Sequence, residues 1–243
     1  MIKRIFKISV LIAFVAIVFS SCSKDDDDAS SGSSAVFSSG VTYGTMTDQD
    51  GNVYKTVAIG TQTWMAENLR TTKYNDGTAI PNVTSASEWE GLTTGAYCNY
   101  NNTTSNDTIA TYGRLYNWYA VNTGKLCPTG WHVPTDAEWS TLTNYLGGED
   151  AAGGKLKETG TTHWLSPNTG ATNETGFTAL PGGIHDRLGS FYHVGYYGYW
   201  WSATENGVAS AWVRDMEYNN SIRSIRRGYN YKEVGYSVRC VRD

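Results

Sequence analysis

Apolar positions along this chain follow two periods, one helical block and a series of alternating stretches. The helical block is Cys127–Gly148. Trp139, Leu142 and Leu146 share one face there, and Gly147 supplies a left-handed stop. Thr135 and Glu138 stand at capping-box spacing, so each side chain can bond the other's backbone N–H. A helix of about three turns is not stable alone in water, so its Trp/Leu face needs cover from the rest of the chain. Tyr112–Asn122 predicts a second helix, with Leu115, Tyr119 and Asn122 on one face and Trp118 beside them. Ala151–Glu158 predicts one further helical turn before a long Gly/Asn/Thr loop.

The alternating stretches predict strands. Thr45–Arg70 reads as two strands about a tight Asp50-Gly51-Asn52 turn, with Tyr54, Thr56 and Ala58 on one face. Asp48, Asp50 and Asn52 do not make a calcium loop, because Val53 stands where Gly is needed and Ile59 where the bidentate Glu is needed. Residues 71–107 are turn-rich around a short strand, Ala96–Tyr100. Strand-like pieces fill the chain from Phe177 onward, and in one of them Trp212, Arg214 and Met216 are the expected inner face. Helices early and antiparallel strands late predict an α+β domain over residues 41–243.

The N-terminus reads as an address. Lys3, Arg4 and Lys7 precede an apolar run, Ile8–Phe19, shorter than the about 20 residues a spanning helix needs. Ser20-Ser21-Cys22 resembles a lipobox, which implies removal of residues 1–21 and lipidation of Cys22; the other reading is an ordinary signal peptide with a stray cysteine. Residues 22–40, with four consecutive aspartates and a Ser/Gly run, predict a flexible tether. Lys24-Asp25-Asp26 resembles the acidic signal of surface-exported Bacteroidota lipoproteins, against a plain solvated linker as the other reading. The expectation is an outer membrane lipoprotein facing the cell exterior.

Charge and chemistry narrow the function. Net charge is −4, without a basic stripe, which argues against nucleic acid as a partner. The histidines, His132, His163, His185 and His193, show no metal-ligand spacing. There is no nucleophile elbow or phosphate-cradling glycine loop, and His185-Asp186 is the only neighbouring pair that could orient an imidazole. Glu138 reads as a cap and Glu67 as a solvent-side or turn partner. No cofactor or metal is expected, and catalysis is not. In an exported protein Cys127 and Cys240 are the expected disulfide, with Cys98 a buried free thiol or an alternative partner of either.

Binding is the better-supported class. Nine Trp and 17 Tyr against six Phe favour half-buried strands and adhesive surfaces. Tyr196, Tyr197, Tyr199, Asn206, Tyr218, Asn219, Asn220, Arg223, Arg226, Tyr229, Asn230 and Tyr231 have the composition of a paratope. Trp200, Trp201 and Trp212 read as core. The alternatives are a solvated hairpin, a structural envelope-assembly subunit whose Tyr/Trp face packs on its neighbour, and an enzyme with a cleft where His185 or His193 meets a carboxylate.

Residues 48–70, Tyr112–Val121, Cys127–Trp139, Gly176–Gly183, Tyr199–Thr204 and Gly235–Val241 occur in an order that resembles the Fibrobacter succinogenes major paralogous domain. That family is similar in pattern to C-type lectin-like folds, notably their formylglycine-generating-enzyme branch. The resemblance implies a single lectin-like domain: small twisted antiparallel sheets, two main flanking helices, terminal strands brought together and long loops at one face. It implies no catalysis, since that branch uses a late cysteine pair and only Cys240 lies late here. In lectin-like proteins diversified by retroelements, the varied positions lie between a WWS-like block and a VRCV-like strand, where Asn219, Asn220 and Tyr229–Tyr231 stand here. A surface-exposed glycan- or protein-binding module is the resulting expectation.

Overall fold

The computed structural model describes residues 33–219 and 224–243; the expected signal peptide, Cys22 and most of the tether lie outside the described residues. Three strands open the fold, β1 (Gly44–Thr47), β2 (Val53–Ile59) and β3 (Gln62–Met65), each antiparallel to the next. Asp48 closes the first turn by accepting from the backbone N–H groups of Asp50 and Asn52 and from the Tyr54 hydroxyl. Tyr54 enters one core cluster while Val57 and Ile59 enter another on the opposite side. With both faces covered, β2 departs from simple alternation, and Ala58 is exposed rather than inward. Glu67 is also buried: it accepts from the Lys55 N–H at 2.5 Å and pairs with Arg70.

Short elements follow: α1 (Ala86–Trp89), β4 (Tyr97–Cys98), α2 (Asn106–Tyr112), β5 (Leu115–Tyr116), α3 (Trp118–Val121) and β6 (Trp131–His132). The helix expected over 112–122 is broken by Gly113. Its φ is 73°, and a Cβ there would meet the Asn68 Cβ at 2.7 Å. The break frees β5 to pair with β4, and the helix before it, α2, is capped by Ser105 inside a stretch that reads as turns.

The two longest helices are α4 (Asp136–Tyr145), with its capping box at Thr135 and Glu138, and α5 (Glu149–Leu156). Behind them come β7 (Gly182–His185), β8 (Phe191–Val194), β9 (Tyr197–Gly207), β10 (Ser210–Glu217), β11 (Ile225–Tyr231) and β12 (Val241–Arg242). The last strand returns to the first hairpin, giving sheet order β1-β2-β3-β12-β6, while β11-β10-β9 form a second sheet. Helix α4 bridges the two. Its Trp139 ring lies 4.8 Å from Trp64 of β3, and its Asp136 bonds Arg214 of β10 at 2.8 Å.

The second sheet separates two cores: Trp201, Ala211 and Val213 belong to one, Trp200, Met216 and Ile225 to the other. Strand β10 is therefore buried on both faces, and Trp212, expected inward, is only half-buried beneath Arg227. Arg239 is the buried hub between segments. It donates to Asn68 at 2.9 Å and to the Thr178 carbonyl at 2.7 Å, and burial pulls its pKa down to about 9. Asn68 also accepts from the Trp200 indole, so chain segments far apart in sequence meet on one guanidinium. Cys127 and Cys240 form the expected disulfide across 113 residues, worth up to about 5 kcal/mol in the chain-entropy model. Cys98 is a buried free thiol whose pKa burial pushes up.

The packed body includes residues on the N-terminal side of the expected boundary at Val41. Val36 N–H donates to Glu158 Oε1 at 2.6 Å, Ser34 bonds Thr111, and Phe37 packs on the core.

Candidate functional site

Strand alternation places Tyr197 and Tyr199 of β9, Asp215 and Glu217 of β10, and Arg226 and Asn230 of β11 on one face of the second sheet. Asp215 stands between Arg226 and Tyr199 in register, and Glu217 opposite Tyr197. Gly198 keeps the two tyrosines outward, because a Cβ on its inward side would strike the Leu180 carbonyl at 2.7 Å. The Tyr197 and Tyr199 rings stack at 5.4 Å, and Tyr199 stacks on buried Tyr236 at 5.0 Å. Exposed His193 extends this row, its ring 5.1 Å from Tyr197 and its Nδ1 3.3 Å from the Tyr199 hydroxyl. It holds a φ of 71°, a conformation with a steric cost for a non-glycine residue.

Arg226 is the centre of the polar half. Its Nε donates to Asp215 at 2.7 Å, it reaches Glu217 at 3.4 Å, and its guanidinium lies 5.4 Å from the Tyr197 ring. Burial pushes the Asp215 carboxyl up, and the bond from Arg226 only partly offsets it. Burial also pulls on Arg226, but its bonds to Asp215 and Tyr197 outweigh that and raise its pKa. Asn230 donates to the Tyr236 hydroxyl at 2.6 Å, fixing the floor. The face offers a flat aromatic shelf edged by an imidazole and by a guanidinium held between carboxylates. Such a surface supplies contact area from rings that lose little entropy, with directional polar contacts beside them.

The remaining sequence-predicted residues do not join this shelf. Tyr229 and Tyr231 alternate out of phase with Arg226 and Asn230 and point from the opposite face. Tyr229 meets Trp212 edge-on at 6.1 Å, and the Arg187 guanidinium lies 4.8 Å from the Tyr231 ring. Tyr196 and Tyr218 pack edge-on at 5.4 Å at one end of the sheet. Asn206 stands at the other end of β9, and Asn219 follows β10. Asn220 and Arg223 lie outside the described residues. What reads as a polar loop is, over Ile225–Tyr231, a strand. His193, Asp215, Glu217 and Tyr236 are the members that sequence reasoning missed. The available signal was Asp215 and Glu217 at strand spacing ahead of Arg226.

The histidines lie in four different environments. His185 is buried 4.3 Å from both Trp89 and Phe191, and burial pulls its pKa down to about 4. Asp186 accepts from the N–H groups of Leu188 and Ser190 in a turn, a structural role for this neighbouring pair. His132 sits between Glu138 at 2.8 Å and Asp243 at 2.6 Å. The histidine that meets both a buried carboxylate and a hydroxyl is His163, with Nδ1 2.8 Å from Glu158 and Nε2 2.9 Å from Ser34. Among the described residues, no group of three or more His, Cys, Asp or Glu side chains is arranged to hold a metal ion.

No curated protein and no solved structure matches the chain. The sequence profile of the Fibrobacter succinogenes major domain matches residues 57–242, more than half of the chain, which therefore belongs to that family.

Proposed function

We propose that this member of the Fibrobacter succinogenes major domain family is a surface-exposed, lipid-anchored binding protein that takes a glycan on the Tyr197–Tyr199–Arg226 face. The observation that carries this reading is the stacked, half-exposed tyrosine pair beside an arginine already fixed by two carboxylates. Flat rings suit the apolar face of a sugar, and the clamped polar groups suit its hydroxyls without an ordering cost on binding. The return of β12 to β3 supports a C-type lectin-like arrangement, in which this sheet is the presenting surface. Cys22 supplies the lipid anchor in the outer membrane, and the acidic stretch after it directs the domain outward.

The test is a glycan array probed with the full chain in mild detergent, beside Tyr197→Ala and Arg226→Ala. The expected result is a hit whose Kd rises at least about tenfold in either variant, equal to about 1.4 kcal/mol. A hit insensitive to both but lost in Tyr229→Ala and Tyr231→Ala moves the site to the opposite face. An assembly subunit is the second reading, favoured by the exposure of Tyr229 (65%) and Tyr231 (48%) on that opposite face. Silence on the array with concentration-dependent self-association in sedimentation would select it.

A further inference from the structure

We propose that Ser34, His163 and Glu158 form a second site, in which Ser34 is a nucleophile activated for acyl transfer from carboxylic esters. The three residues are Ser34 in the stretch before β1, His163 in the loop after α5, and Glu158 two residues past the end of that helix. Ser34 Oγ lies 2.9 Å from His163 Nε2, and His163 Nδ1 lies 2.8 Å from Glu158 Oε2. This is the nucleophile–base–orienter geometry, and it is recognised by roles and distances rather than by order in the chain.

A carboxylate only accepts, so in the neutral imidazole that a general base requires, the ring proton sits on Nδ1 and the Nε2 lone pair faces Ser34 Oγ. Ser34 N–H donates to Thr111 Oγ1 at 3.1 Å, and the two hydroxyl oxygens lie 2.8 Å apart. With the Thr111 hydroxyl donating to Ser34 Oγ, Ser34 O–H is free to donate to Nε2, and the bonds then run one way from Thr111 through Ser34 and His163 to Glu158. Burial is graded in the sense a relay needs: Ser34 is exposed, while the His163 and Glu158 side chains are 6% and 0% exposed. The Tyr112 ring meets His163 edge-on at 5.7 Å and fixes its plane. A network that merely pinned the N-terminal segment would not need the imidazole, because Val36 N–H already bonds Glu158 directly.

In the reaction, Ser34 Oγ bonds to the ester carbonyl carbon as its proton passes to His163 Nε2. Collapse breaks the ester C–O bond, and the alkoxide leaves as an alcohol with that proton. Water then attacks the acyl-serine by the same route, releasing the acid and restoring Ser34.

The full chain in mild detergent is treated with a fluorophosphonate probe, and the labelled residue is identified by peptide mass spectrometry. Hydrolysis of p-nitrophenyl acetate is the second readout. The expected result is labelling at Ser34 that disappears in Ser34→Ala with the melting temperature unchanged. His163→Gln should slow labelling and hydrolysis by at least about a hundredfold, and Glu158→Gln should slow both. If Glu158→Gln does not fold, the Ser34 and His163 variants decide alone. No labelling, labelling of Ser34 no faster than of Ser39 on the same segment, or labelling undiminished by His163→Gln would each overturn the proposal.

Discussion

The two faces of the β9–β10–β11 sheet each carry an arginine–aspartate pair, and the two pairs are mirror images in burial. On the helix side, Arg214 is fully buried and its partner Asp136 is 17% exposed. On the shelf side, the acid is the sheltered member: Asp215 is 12% exposed and Arg226 46%. The difference decides what each pair can do. A buried guanidinium bonded to Asp136, the Val213 carbonyl and Ser140 is closed off from any ligand by its burial and locks β10 to α4. An exposed guanidinium held from below by a buried carboxylate is fixed in place yet open above. The same two residue types thus serve cohesion on one face and leave an accessible guanidinium on the other, separated by one sheet thickness.

Removing the acid on the helix side should have the largest effect. Asp136→Ala strands the buried Arg214 and also releases Arg227, which Asp136 holds at 2.9 Å. A loss of about 3–5 kcal/mol is expected from leaving a buried charge unpaired, read as a fall in the urea midpoint with unchanged slope. Removing the arginine on the shelf side should do far less to the fold. Arg226→Met leaves the sheltered Asp215 unpaired but removes only a half-exposed arginine, so a loss smaller than that of Asp136→Ala is expected in the same measurement, while glycan affinity falls at least about tenfold. Comparable stability losses in the two variants would erase the distinction between the faces.

The two regions were also unequally legible from the amino-acid sequence. Around α4 the local signals agree: the Thr135/Glu138 box, the Trp139/Leu142 stripe and the glycine stop all specify one element, and the structure shows it. The pairing of Cys127 with Cys240 was equally legible, because the expectation of export set by residues 1–22 gave two such cysteines a use. The shelf was not, because it depends on cross-strand register. Arg226 and Tyr229 read alike as polar-loop residues, and only the pairing of Asp215 with Arg226 and of Trp212 with Tyr229 sends them to opposite faces. The predicted helix over 112–122 failed for a tertiary reason, the close approach of Asn68 at Gly113. Glu158 and His163 lie five residues apart with no recognisable spacing, and Ser34 sits in a stretch whose composition reads as tether, so only the folded chain brings them together.

A smaller effect, visible in acid, separates the faces by sign. Burial pushes the Asp136 carboxyl up, but its bonds from Arg227 and Arg214 outweigh that and hold it below the ordinary 3.8. Its contribution is therefore present above pH 3.8 and is lost as pH falls through the lower folded value. Asp215 runs the other way. Burial dominates and raises its pKa above 3.8, so just above that pH the folded state binds the proton first and acidification favours folding. Asp215→Asn should remove this dependence, leaving a flatter stability profile in the window above 3.8 and, because the ionised carboxylate no longer has to be buried, a stability at neutral pH not below the parent's. Asp136→Asn should instead lower stability at neutral pH and lessen the further loss in acid. Melting temperatures of the two variants and the parent, followed from neutral pH into that window, provide the measurement. Profiles displaced in the same sense by both substitutions would show that the two carboxylates share one environment and would erase the contrast between the faces.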